Sequence, residues 1–132
     1  MPQFFSFFPD GLDPELEITF KPLCLELSDE QLVELAERVR AHLEVLRQAS
    51  VVNKALDRVT AEAIARRLVG LLGEIPSLPE EHRLLVVGAA RYFIRSQDIQ
   101  PDFTSLVGFK DDVTVLNFVL KQIGREDMRI EL

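Results

Sequence analysis

A chain of 132 residues with 47% hydrophobic and 28% charged content fits one domain, since a chain of this size can bury about two-thirds of the surface its unfolded form exposes. That balance excludes a disordered composition, and a net charge of -7 weighs against a nucleic-acid partner, whose grip depends on protein cations. The single cysteine, Cys24, cannot close an internal disulfide and agrees with a reducing, cytoplasmic setting.

The first residues, MPQFFSFFPDG, lack the basic start and long apolar run of a signal peptide. Phe4, Phe5, Phe7 and Phe8 are four of the nine phenylalanines and precede a Pro-Asp-Gly turn. Such a segment predicts a contact surface for a protein partner or a homodimer; the plainer alternative is that it folds back onto its own core. Residues 16–27, LEITFKPLCLEL, alternate apolar and polar around Lys21-Pro22 and predict two short extended pieces joined by a turn. Residues 128–132 alternate likewise, which leaves room for a small terminal β-hairpin or sheet. Residues 1–27 thus read as an aromatic-rich arm with extended segments, and 28–132 as a helical domain.

The first long helix is predicted over 28–49. Ser28 and Gln31 form a capping box, and Leu32, Leu35, Ala36, Val39, Leu43 and Leu46 recur at helical spacing. A second helical region covers 51–72 with a break near Thr60, stopped by Gly73 and Pro76. A third covers 79–94, apolar nearly all round and therefore central, yet too short and too charged to span a membrane. Gly88 within it predicts close approach by a neighbouring element. The fourth covers 112–123 and ends at Gly124. Together these make a mainly α chain, a compact bundle of four to five helices. The seven bases between Arg38 and Arg67 scatter around the polar faces of two helices and read as a solvated face.

Between the third and fourth helices the pattern leaves about fifteen residues, in which Pro101 opens and Gly108 closes a single helical turn. Asp98, Asp102, Asp111 and Asp112 fall in or beside this stretch. Their oxygens would suit magnesium or calcium if the loop gathered them. Each also has a structural use: Asp111 or Asp112 as the cap of the fourth helix, Asp102 at the turn after Pro101, Asp98 in an Asx-turn or paired with Arg95. The spacing is unlike a calcium loop, and the structural use is the preferred reading.

The stretch YFIRSQDIQPDFTSLVGFKDDVTVL, residues 92–116, resembles the signature of the YkvA-like domain, a family of unknown function found mainly in bacteria. It matches at Tyr92, Phe93, Ile94, Asp98, Pro101, Asp102, Phe103, Gly108, Asp111 and Asp112, with Phe109 in place of a tyrosine. It departs at Ser96 and Ser105, where proline is usual, and at Gln100, where an apolar residue is usual; these changes argue against membrane contact. The resemblance implies helical structure and carries no activity.

Other chemistry has little support. His42 and His82 belong to no metal-ligand grouping, Cys24 reads as a small buried hydrophobe, and Tyr92 as a core residue with a satisfied polar tip. No nucleophile elbow, P-loop or dinucleotide fingerprint occurs. The sequence therefore favours a small non-enzymatic protein-interaction or regulatory module without a cofactor. The alternative is a metal-dependent hydrolase of a phosphate ester, with the aspartates as ligands and Arg91 or Arg95 holding the anion.

Overall fold

Asp13 and Pro14 open the first helix of the described residues. The Asp13 carboxylate accepts from the Glu15 amide at 3.0 Å, and Pro14 enters at the first turn, where a missing N–H has no helical partner to lose. The computed structural model describes residues 8–52, 57–99 and 107–131, the side chains of 96–99 and 107–108 excepted. Within them the order is α1 (Pro14–Phe20), α2 (Asp29–Val52), α3 (Arg58–Glu74), α4 (Glu80–Ile99) and α5 (Val107–Gln122). Short 3₁₀ turns lie at Lys21–Leu23, Ile75–Ser77 and Glu126–Met128. The chain is mainly α, as the periodicity requires, and the described residues contain no strand.

The extended pieces expected over 16–27 are the chief correction. Leu16 and Phe20 are spaced as one face of a helical turn as well as alternate strand positions, and the Asp-Pro start selects the helix. Phe20 is fully buried, whereas Ile18, which a strand would place beside it, is 76% exposed. Past the 3₁₀ turn, residues 24–28 lack regular secondary structure, and Glu26 is tied to Arg83 of α4 at 2.9 Å. The C-terminal alternation likewise makes no sheet among the described residues. Instead the Asn117 side chain takes both backbone groups of Ile130, donating to its carbonyl and accepting from its amide, each at 2.9 Å.

The capping box at α2 forms as predicted: the Gln31 amide donates to Ser28 Oγ at 3.2 Å and the Ser28 amide to Gln31 Oε1 at 2.9 Å. The break expected at Thr60 falls three residues earlier. Asp57 caps α3 by accepting from the Thr60 amide at 3.0 Å and from its hydroxyl at 2.5 Å, so Thr60 stabilises a start rather than marking an interruption. Gly124, with φ of +77°, ends α5; the Arg125 amide reaches back to the Leu120 carbonyl at 2.7 Å and the Gly124 amide to Lys121 at 3.2 Å, a Schellman closure.

Helix α4 is central. Every residue from Leu84 to Ala90 is buried, and α4 packs on α1, α2, α3 and α5. At Gly88 a Cβ would stand 2.8 Å from Phe20 Cε1 and nearer still to Cys24 Sγ. The close approach inferred from this glycine is real, and the element that approaches is the α1 end with its 3₁₀ turn.

α4 and α5 are both longer than the sequence pattern indicated. No glycine or proline interrupts residues 95–99, so α4 continues to Ile99, and Gly108 lies within the first turn of α5 instead of closing a separate turn. Residues 100–106, between the two helices and with Pro101, Asp102 and Phe103 among them, lie outside the described residues.

Candidate functional site

The half-buried ring of Tyr92 on α4 and the start of α5 form an acidic corner. Phe109, Val113, Leu116 and Leu120 make the inward stripe of α5, and Asp112, three residues after Phe109 and four before Leu116, occupies a place in that stripe. Its side chain is therefore driven inward: Asp112 is 3% exposed, and neither carboxylate oxygen has a hydrogen-bond partner among the described residues. Burial pushes this carboxyl well above the ordinary carboxylate range, and the charge of neighbouring Asp111 pushes in the same direction. Asp111 is half-buried. The Tyr92 hydroxyl is pushed up to about 12, first by burial and then by the charges of Asp111 and Asp112, with Arg95 acting in opposition.

These positions change the part the sequence assigned to the acids. Because α5 begins at Val107, its first turn contains no acid, and Asp111 and Asp112 cap nothing. The two share one corner with Tyr92. Asp98 lies in the last turn of α4 with its side chain outside the described part, and Asp102 is wholly outside it. Among the described residues, no group of three or more histidine, cysteine, aspartate or glutamate side chains gathers to hold a metal.

Phe8 lies in the core. Its ring stacks on Phe118 with centroids 5.8 Å apart and meets Phe20 edge-on at 5.9 Å, while the Lys21 ammonium sits 5.8 Å from the ring centre. The fold-back alternative thus describes Phe8; Phe4, Phe5 and Phe7 lie outside the described residues. His42 is buried with its ring edge-on to Phe93 at 4.7 Å. Cys24 is buried, its Sγ 3.6 Å from the Phe20 carbonyl, and burial raises its thiol to about 12, so it is inert as a nucleophile at neutral pH. Arg91 donates to the Leu23 carbonyl at 2.9 Å, which commits a candidate anion ligand to holding the chain.

A second feature escaped the sequence reading. Along the α2–α3 seam two shallow depressions of about 210 and 300 Å³ share Arg40 and Val69 and so run into one groove. Leu32, Ala36, Leu43 and Val69 line it, Val33 stands 65% exposed at its edge, and Gly73 leaves open space where a side chain would project. Arg40, Arg47 and Arg66 crowd one end with Glu62; Asp29 is at the other. The signal lay in adjacent Leu32-Val33, which widens the apolar stripe of α2 beyond what burial against α3 uses. The expected solvated face is partly correct, with Arg47 and Arg58 on Glu62 at 3.5 and 3.3 Å. Arg67 departs from it, donating to the carbonyls of Ala63 and Met128.

No family model, no curated protein and no solved structure matches this chain. Among the described residues no helix is long and apolar enough to cross a membrane.

Proposed function

We propose that the protein is a small, non-enzymatic interaction module that receives an amphipathic helix of a protein partner along the α2–α3 seam. The observation that carries this reading is the seam itself: an open apolar groove with an exposed valine at its edge and three arginines at one end, in a chain of net charge -7. From Asp29 to Arg47 it follows α2 for about 27 Å at 1.5 Å per residue, the length of about five helical turns. A helix with an apolar face and acidic flank satisfies both features, the apolar face on Leu32, Ala36 and Val69 and the acids against Arg40 and Arg66. The YkvA-like stretch and a cytoplasmic setting belong to the same proposal, with α4 and α5 as the scaffold behind the seam.

The test uses a synthetic helix of about five turns, leucines on one face and glutamates on the other, titrated into the full chain while amide shifts are followed. The reading expects shifts centred on Val33, Ala36, Arg40, Val69 and Gly73, and their loss in Gly73→Leu, which fills the groove. Absent binding, or shifts centred elsewhere, overturns it. Concentration-dependent dimerisation abolished by Val33→Asp would also overturn it, by giving the seam to a second copy.

A further inference from the structure

We propose that Asp111 and Asp112, beside Tyr92 at the α4–α5 junction, bind a hard divalent cation, with Asp112 as its innermost ligand. This goes beyond the interaction reading and rests on a different part of the molecule.

A carboxylate that is 3% exposed and has no partner on either oxygen among the described residues is an expensive arrangement, because a buried charge is tolerated when it is paired or coordinates a metal. Three things could relieve it: a hydrogen-bond donor, a proton or a cation. The described residues supply no donor: Tyr92 makes no hydrogen bond to Asp112, and Arg95 is exposed. Protonation removes the charge but leaves an O–H donor and a carbonyl acceptor equally unpartnered. It also does nothing for Asp111 next door.

A divalent cation answers both needs. Its charge balances two carboxylates, and it engages the Asp112 oxygens directly. The residue types select a hard ion, since the groups assembled here are carboxylate and phenol oxygens, with no thiol or imidazole among them. Cys24 and His42 are engaged elsewhere, at Gly88 and at Phe93. Magnesium usually keeps several of its waters and takes one or two protein carboxylates, with substrate phosphates commonly supplying further oxygens.

Manganese is the probe, because it replaces magnesium and calcium at oxygen sites and broadens nearby nuclear resonances. In the chelator-stripped full chain, substoichiometric manganese should broaden the amides of Tyr92, Asp111, Asp112 and Val113, and excess magnesium or calcium should restore them. Asp112→Asn should weaken binding by more than the roughly 10- to 100-fold typical of losing an outer-shell partner. Should that variant fail to fold, Asp111→Asn, at a half-buried position, decides in its place. No broadening at millimolar manganese, broadening centred on the acids of residues 10–34, or unchanged binding in the variant that folds overturns the proposal.

Discussion

Two neighbouring turns of α4 bury their surroundings to similar depth with opposite chemistry. At Gly88 the helix meets Phe20 and Cys24, groups that are apolar or, like the Cys24 thiol on the Phe20 carbonyl, locally satisfied. One turn on, near Tyr92, the neighbouring helix brings in Asp112, whose oxygens meet no donor among the described residues. The first contact has the chemistry of a stable core, while the second forgoes stability that an apolar residue would have supplied. A fold retains such an arrangement most readily where a ligand or proton uses it.

The largest expected effect breaks the satisfied side. Gly88→Val places its Cβ against Phe20 and Cys24 and should cost about 3 kcal/mol by denaturant unfolding, the upper part of the usual overpacking range. Adding Cys24→Ala, which removes the closest atom, should restore part of that loss; strict additivity would show that the clash is not the cause.

On the unsatisfied side the sign reverses. Asp112→Leu in chelator should raise stability by about 1–3 kcal/mol, the desolvation penalty of an unpartnered polar group, and a loss of similar size would mean the carboxylate has donors after all. The paired change Asp111→Asn with Asp112→Asn should likewise leave stability in chelator undiminished, since neither residue caps α5. Asn117→Ala is a milder contrast between satisfied and unsatisfied groups: it strips two hydrogen bonds from Ile130 and should cost about 1–2 kcal/mol, with earlier proteolysis of the C-terminal residues. Smallest is Gly70→Ala, where nothing lies within 4 Å of the added carbon and helix propensity alone should stabilise by about 0.5–1 kcal/mol.

The long helices were legible in the sequence because their signals were redundant. Ser28 and Gln31 cap what Leu35, Val39 and Leu46 then bury, and Gly124 closes what Val113 to Leu120 fill. Where two periods fit the same residues, the reading failed: Leu16 and Phe20 satisfy both alternation and a helical turn, and the Asp13-Pro14 start decided between them. The acidic corner was half legible. The aspartates stood out by type, but a capping role was read from their nearness to the fourth apolar run, whereas α5 starts five residues before Asp112. Only its place three residues after Phe109 showed that Asp112 faces inward. The α2–α3 seam was not legible, because periodicity gives the direction an apolar residue faces and not whether another element covers it.

The central claim is that Asp112 is buried without a partner among the described residues, and the pH dependence of unfolding tests it most directly. A carboxyl raised in the folded state holds its proton after the unfolded chain has lost its own, near the ordinary aspartate value of about 3.9. Its contribution is thus full below that pH and is lost as the pH climbs toward the raised folded value. Urea unfolding in chelator at successive pH values should show the native chain losing stability relative to Asp112→Asn from about pH 4 upward. A stability difference between the two that does not change with pH, or that moves in favour of the native chain as pH rises, would contradict the account and place a donor or counter-ion on Asp112.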